Sequence, residues 1–302
     1  MIRMENGEGL ERRIEQAADL CREVFADEIF SAGEAWLRRG IFDCWHYDRD
    51  LVRLAVEGGE VVGLAAGDVR SREGATFASL KLIVVHPDRR GRGIATQMLG
   101  EIERTAAERD VDRIVVSDGW PLYFFGGVNH RQTEALIFFH RRGYEGNRYS
   151  FHLEAPLSDN PAIDSPDSPL PEGITVRRAR PEDRDRTLAA VERMFSKAWW
   201  FETSLAFRAP EPTAYISERN GEVVGFADYY ATNFGLFGPT GVDESLRGRK
   251  VGAVLFRRCL RDMRALGYPY ALIPTDLDRL NFYHREGEAT VGRLFLVFEK
   301  KL

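Results

Sequence analysis

The chain repeats itself, and the repeat constrains its fold more than any other feature. Gly59-Glu60-Val61-Val62-Gly63-Leu64-Ala65 recurs as Gly221-Glu222-Val223-Val224-Gly225-Phe226-Ala227. Downstream, Arg90-Gly91-Arg92-Gly93-Ile94-Ala95 recurs as Arg247-Gly248-Arg249-Lys250-Val251-Gly252, at nearly the same offset. Phe138-Phe139-His140-Arg141-Arg142-Gly143 is echoed by Phe282-Tyr283-His284-Arg285-Glu286-Gly287. Matches in one order and at one spacing mean two copies of one folding unit, and 302 residues suit two domains. Between the copies, residues 155–173 hold Pro156, Pro161, Pro166, Pro169 and Pro171. That density breaks regular structure and leaves little to bury. The sequence therefore predicts one domain over 1–155, a Pro-rich linker over 156–172 and a second domain over 173–302.

Each copy carries the same element pattern. Apolar runs flank Glu57-Gly58-Gly59-Glu60 and Asn220-Gly221, which reads as a tight hairpin in both. The run 80–85 predicts a buried strand, ended by His86-Pro87. Met98, Leu99, Ile102 and Ala106, matched by Leu255, Phe256, Cys259 and Met263, fall on one face of a helix. Strands follow at Ile114-Val115-Val116 and Ala271-Leu272-Ile273. A second helix then stops at Gly143 or Gly287, as helix C-termini often do. Residues 9–25 and 181–195 also read as helical. Strands and helices alternating in both copies give a mixed α/β fold class.

Composition narrows the partners. Lys plus Arg number 42 against 47 Asp plus Glu, a formal charge of −5, which disfavours nucleic-acid binding. No apolar run approaches the ~18 residues of a membrane span. The N-terminus lacks the apolar stretch of a signal peptide. Cys21, Cys44 and Cys259 show neither metal spacing nor a disulfide framework. The expectation is a cytoplasmic protein with reduced thiols and no metal.

The segment from Val85 to Ala95 reads as strand, loop, helix start. Backbone N–H groups at a helix N-terminus lack intrahelical partners, and with the helix dipole they make an anion site. Glycines let a ligand approach the bare backbone. A P-loop is excluded because no Gly-Lys-Ser/Thr occurs, and a dinucleotide fingerprint fails because Thr96 stands where its third glycine belongs. What remains is Arg90-x-x-Gly93-x-Ala95.

This segment resembles the acetyl-CoA-binding motif of the Gcn5-related N-acetyltransferase (GNAT) family, V-x-P-x-x-R-G-x-G-I-[GA]. The later Phe-Phe/Tyr-x-x-x-Gly element resembles that family too. The two copies together look like its tandem form. The resemblance implies in each copy a mixed, mostly antiparallel sheet flanked by helices and splayed in the middle, acetyl-CoA lying in the splay, and direct acetyl transfer to the amine of a small molecule. It implies that the main chain of Val84 and Val85 pairs with pantetheine, with the Val85 N–H near the thioester oxygen. It implies a pyrophosphate cradle along Arg89, Arg90, Gly91, Arg92, Gly93, Ile94 and Ala95. Gln132 stands where the family often has Asn. The second-copy counterparts of the cradle are Arg247, Gly248 and Gly252.

The copies depart from that pattern in different places. Lys250 replaces a loop glycine in the second. The family's usual general acid, a Tyr four residues before the closing glycine, is present as Tyr283, whose ring could equally be a packing group. The first copy has Phe139 there, which donates no proton. Tyr123, oriented by Asp118 in a longer aromatic loop, is an alternative acid, or that loop covers a domain interface. Asp68 and Asp228 are weak candidates for a base. An amine of pKa ~10.4 is neutral in only about one part in 2,500 at pH 7, so a base or a low-pKa amine is needed. The acceptor pocket is expected near residues 32–48 and 119–130, with Trp36, Trp45, Trp199 and Trp200 as lining or core. Two readings follow: an acetyl-CoA-dependent N-acetyltransferase, monomer or homodimer, or a non-catalytic CoA or metabolite sensor or scaffold.

Overall fold

Both copies fold around the turns expected of them. Gly58 and Gly59, and Asn220 and Gly221, all adopt positive φ, the left-handed pair that lets two strands reverse without splaying. The computed structural model describes residues 1–28, 32–72, 74–109, 111–117 and 121–302. In chain order the elements are β1 (Ile2–Glu5), α1 (Gly7–Arg12), α2 (Ile14–Val24), α3 (Glu34–Ile41), β2 (Tyr47–Glu57), β3 (Glu60–Arg72), β4 (Ala75–Val85), α4 (Ile94–Ala107), β5 (Arg113–Val116), β6 (Val128–Asn129), α5 (Thr133–His140) and β7 (Glu145–Pro156). They continue as α6 (Pro161–Asp164), β8 (Ile174–Arg178), α7 (Arg184–Met194), α8 (Lys197–Ala206), β9 (Ala214–Arg219), β10 (Glu222–Tyr229), β11 (Phe237–Val242), α9 (Val251–Ala265), β12 (Tyr270–Thr275), α10 (Leu280–Gly287) and β13 (Thr290–Lys301).

The first compact unit is Met1–Ser150 together with Phe295–Leu302, and the second is Phe151–Leu294. These limits differ from the boundaries read off the sequence at both long C-terminal strands. The first unit's sheet runs β1-β2-β3-β4-β5, then the end of β13, then the start of β7. Every pairing from β1 to β4 is antiparallel, whereas β4 and β5 are parallel. Residues 299–301 of β13 pair with β5. Chain continuity suggested that the last strand belongs to the second domain, but strand pairing carries no sequence mark of its partner.

A bulge shapes this sheet. Ala66 pairs with Leu82 but Gly67 with Leu80, which leaves Lys81 as the extra residue of β4. A β-carbon at Gly67 would lie 2.9 Å from the Ser79 carbonyl oxygen, so the close approach requires glycine. Pairing of β4 with β5 ends at Leu80–Val116, followed by a Ser117 N–H bond to the Leu80 carbonyl. Residues 82–85 run on without β5, and the sheet opens there. Helix α4 seals β2 and β3 with Met98, Leu99, Ile102 and Ala106, all buried as their spacing predicted.

The second unit repeats the plan. Strands β11-β10-β9-β8 form an antiparallel sheet, and β12 pairs with residues 151–156 of β7. Only the isolated bridge Leu236–Leu272 connects the β11 side to β12 among the described residues. Leu255, Phe256, Cys259 and Met263 on α9 are fully buried. The linker departs from expectation. Ile163 on α6 is buried in the core, and Asp167 accepts hydrogen bonds from Arg258 and Arg261 of α9. Pro156 still pairs at the end of β7, and beyond it the polar residues pin the linker down. All three cysteines are free and buried. Among the described residues, no helix is long and apolar enough to cross a membrane.

Candidate active site

In the first unit a short 3-10 turn (Pro87–Arg89) leads into the loop, capped by the His86 side chain. Gly91 and Gly93 then take φ of 75° and 81°, the left-handed region where glycine carries no penalty. Gly93 is the N-cap of α4 and supplies no side-chain hydrogen bond. The first-turn N–H groups of α4 are therefore available to an anion. Arg89 and Arg92 both donate to Glu57, whose carboxyl is held down to about 2 by those hydrogen bonds. The Arg92 side chain thus faces Glu57, while the loop backbone stays open.

This loop forms one end of a cavity of about 990 Å³ within the first unit. Val84, Val85, Arg89, Arg90, Gly91, Gly93, Ile94, Ala95 and Gln132 all line it; Arg92 does not. The cavity runs along the stretch of β4 that has left β5, where alternate main-chain groups have no sheet partner on that side. The lining also includes Lys81, Phe125 and Arg142, which carried no individual role in the sequence, and Phe295. Phe295 arrives from the chain's C-terminal segment, which the sequence assigned to the other domain. Arg142 sits in the turn just after α5, four residues beyond Phe138. Its guanidinium lies 3.8 Å from the Phe138 ring centroid, and it donates to the Thr96 hydroxyl and, at 3.0 Å, to the Phe138 carbonyl. Its Nε is buried with no partner among the described residues.

The candidate acids fare unequally. Tyr123 is half-buried and is not among the cavity-lining residues, whereas Phe125 is. Asp118 lies outside the described residues. Phe139 does line the cavity, its ring packed on Tyr144 and Phe298. Tyr283 belongs to the second unit's core, with ring centroids of Phe256 and Phe237 at 5.3 and 6.2 Å. Burial pushes its hydroxyl up to about 12. Of the base candidates, Asp68 is buried and held by Arg70 through two hydrogen bonds of 2.7 and 2.6 Å. Asp228 is fully buried, accepts from Thr203 at 2.7 Å, and is raised well above the ordinary carboxylate range by desolvation. Trp36 is core, its ring tilted against Phe124 with centroids 4.3 Å apart.

The second unit keeps the loop shape but fills its surroundings. Gly248 and Lys250 have φ of 74° and 66°, so the lysine holds the same left-handed turn as Gly93. Its ammonium donates to Glu286 at 2.8 Å. Arg285 donates to the same carboxylate at 2.8 Å, and Arg257 does so as well. Glu286 is 1% exposed. Burial alone would raise its pKa, but the three cations outweigh that and bring it to about 2. Glu286 and Arg142 occupy the same position before the closing glycine. One unit therefore places a cation beside its loop, and the other a carboxylate that already holds the local cations.

The profile of the acetyltransferase (GNAT) family matches residues 15–123 and again 177–287. The chain belongs to the acetyltransferase (GNAT) family. This tandem GNAT protein is an acyl-CoA-dependent N-acyltransferase, and the family's reaction is acetyl transfer to an amine. It is 27% identical over 258 residues to a mycothiol acetyltransferase of Streptomyces bingchenggensis, covering 80% of this chain and 78% of that one. With a mycothiol acetyltransferase of Frankia casuarinae it shares 29% over 154 residues, 48% of this chain and 41% of the other. In fold it matches the tandem GNAT protein from the clavulanic acid biosynthesis pathway with a TM-score of 0.73 and 14% identity, covering 100% and 98% of the two chains.

Proposed function

We propose that the first unit of this GNAT protein binds acetyl-CoA and acetylates a small-molecule amine, while the second unit binds no acyl-CoA at its own loop. The supporting observation is the contrast between the loops. One opens onto a cavity beside Arg142, and the other is met by the buried Glu286. In this reading the main chain from Arg90 to Ala95 cradles the pyrophosphate. Each helix-terminus contact contributes roughly 0.3–1 kcal/mol. Val84 and Val85 offer their free sheet edge to the pantetheine amides.

The amine nitrogen attacks the thioester carbonyl carbon. A C–N bond forms, the C–S bond breaks with its electrons leaving on sulfur, and the amine gives up a proton. The departing group is a thiolate, and an ordinary thiol has a pKa of ~8.5. Such a group leaves without obligatory protonation, which makes Phe139 compatible with turnover. The alternative, catalysis in the second unit through Tyr283, has the hydroxyl but a loop whose cations are already engaged.

Thiol release from acetyl-CoA across an amine panel tests the reading. Gly93→Glu, which puts a carboxylate in the cradle, should abolish release, and Gly252→Glu should leave it within about twofold. The reverse pattern assigns the reaction to the second unit. CoA binding without release for every amine points to the sensor.

A further inference from the structure

The end of the cavity away from the loop has its own chemistry. β4 rises about 3.3 Å per residue, so Lys81 lies about 13 Å back along the strand from Val85. That distance places the bulge, and the walls around it, at the far end of a chain extended from the phosphate cradle. Lys81 lies 5.9 Å from the Phe124 ring centroid, and Phe124 lies 4.3 Å from that of Trp36; near them the cavity is lined by Phe25 at the end of α2, Phe125 from the segment after β5, and Phe295 from β13. Phe25 and Phe125 have ring centroids 5.1 Å apart, and Phe125 and Phe295 6.5 Å. Trp36 backs both Phe25 and Phe125, at 5.7 and 6.2 Å. The wall is thus a supported aromatic layer. The bulge cation is already engaged, since the Lys81 ammonium donates to the Gly40 carbonyl and lies 3.6 Å from Asp68.

Hydroxyls of a sugar-like acceptor placed against these three rings would find no hydrogen-bond partner on them. An aromatic body would gain ring-on-ring contact and lose no polar partner. We infer that the acceptor is a primary amine carried on an aromatic or bulky apolar body, seated against Phe25, Phe125 and Phe295. This rests on the first unit being the acetyl-transfer site.

The test compares kcat/KM for an arylalkyl amine such as phenethylamine with that for an amino sugar such as glucosamine, in the full chain. The arylalkyl amine should be favoured by about tenfold or more. Phe125→Ala should raise its KM by about tenfold, roughly one ring contact, while Phe125→Leu should keep most of the affinity. Acetyl-CoA affinity and the thermal midpoint, measured alongside, report whether the variants fold; Phe295→Leu is a second probe should Phe125→Ala not fold. A preference for the amino sugar, or an unmoved KM in folded variants, overturns the acceptor class and leaves the transfer reading standing. Acetyl-CoA binding that survives Gly93→Glu overturns the transfer reading itself.

Discussion

Position 142 in one copy and position 286 in the other are equivalent, yet they put opposite charges beside their loops. Arg142 brings a guanidinium to the cavity wall; Glu286 brings a carboxylate that gathers Lys250, Arg257 and Arg285. Removing one partner from a buried ionic cluster strands the others. Glu286→Gln should therefore destabilise the second unit by about 3 kcal/mol, read by urea denaturation. The pH dependence has a definite sign. Glu286 titrates near 2 in the folded chain against an ordinary 4.5, so its contribution is complete above about pH 4.5 and fades as pH falls toward 2. The wild type should lose stability across that acid window more steeply than Glu286→Gln. Parallel profiles would contradict the role of its charge.

At the scale of elements, much was legible and the exceptions have physical causes. The glycine-bearing turns and the apolar faces of α4 and α9 follow from local conformation and helical period, which act within a few residues. The loop from Arg90 to Ala95 was equally legible, because positive φ at Gly91 and Gly93 is written in residue type. The bulge was not, because an extra residue in β4 flips the face of everything after it, and Lys81 inside the apolar run does not say where the register shifts. Phe25 was missed for a related reason, since an aromatic residue marks burial without saying whether a cavity lies on the other side; Phe125 falls in the 119–130 stretch expected near the acceptor. The bulge itself is testable through Gly67. Gly67→Ala forces a β-carbon against the Ser79 carbonyl. It should cost about 1–3 kcal/mol and raise the KM for the amine through displacement of Lys81. A variant as stable and as active as the parent would show that the bulge tolerates a side chain.

Across the whole molecule, the repeat announces two units but not which strands complete them. The last eight residues, Phe295–Leu302, belong to the first unit. There Phe298 stacks on Phe139 at 5.7 Å, and Asn147 donates to Glu299 at 2.6 Å. Nothing local marks this, since an apolar strand reads the same whichever neighbour it pairs with. A chain truncated after residue 294 should lose acetyl-CoA binding and show early proteolysis within residues 1–150. If the truncated chain binds as the full one does, the C-terminal strand is dispensable to the site.

The central claim is that one of two similar loops grips acetyl-CoA and the other is satisfied by its own carboxylate. Calorimetric titration of the full chain with acetyl-CoA measures this as a stoichiometry. The account predicts one molecule bound per chain, lost in Gly93→Glu and retained in Lys250→Glu. Two molecules per chain, or a single one that survives Gly93→Glu, would contradict it.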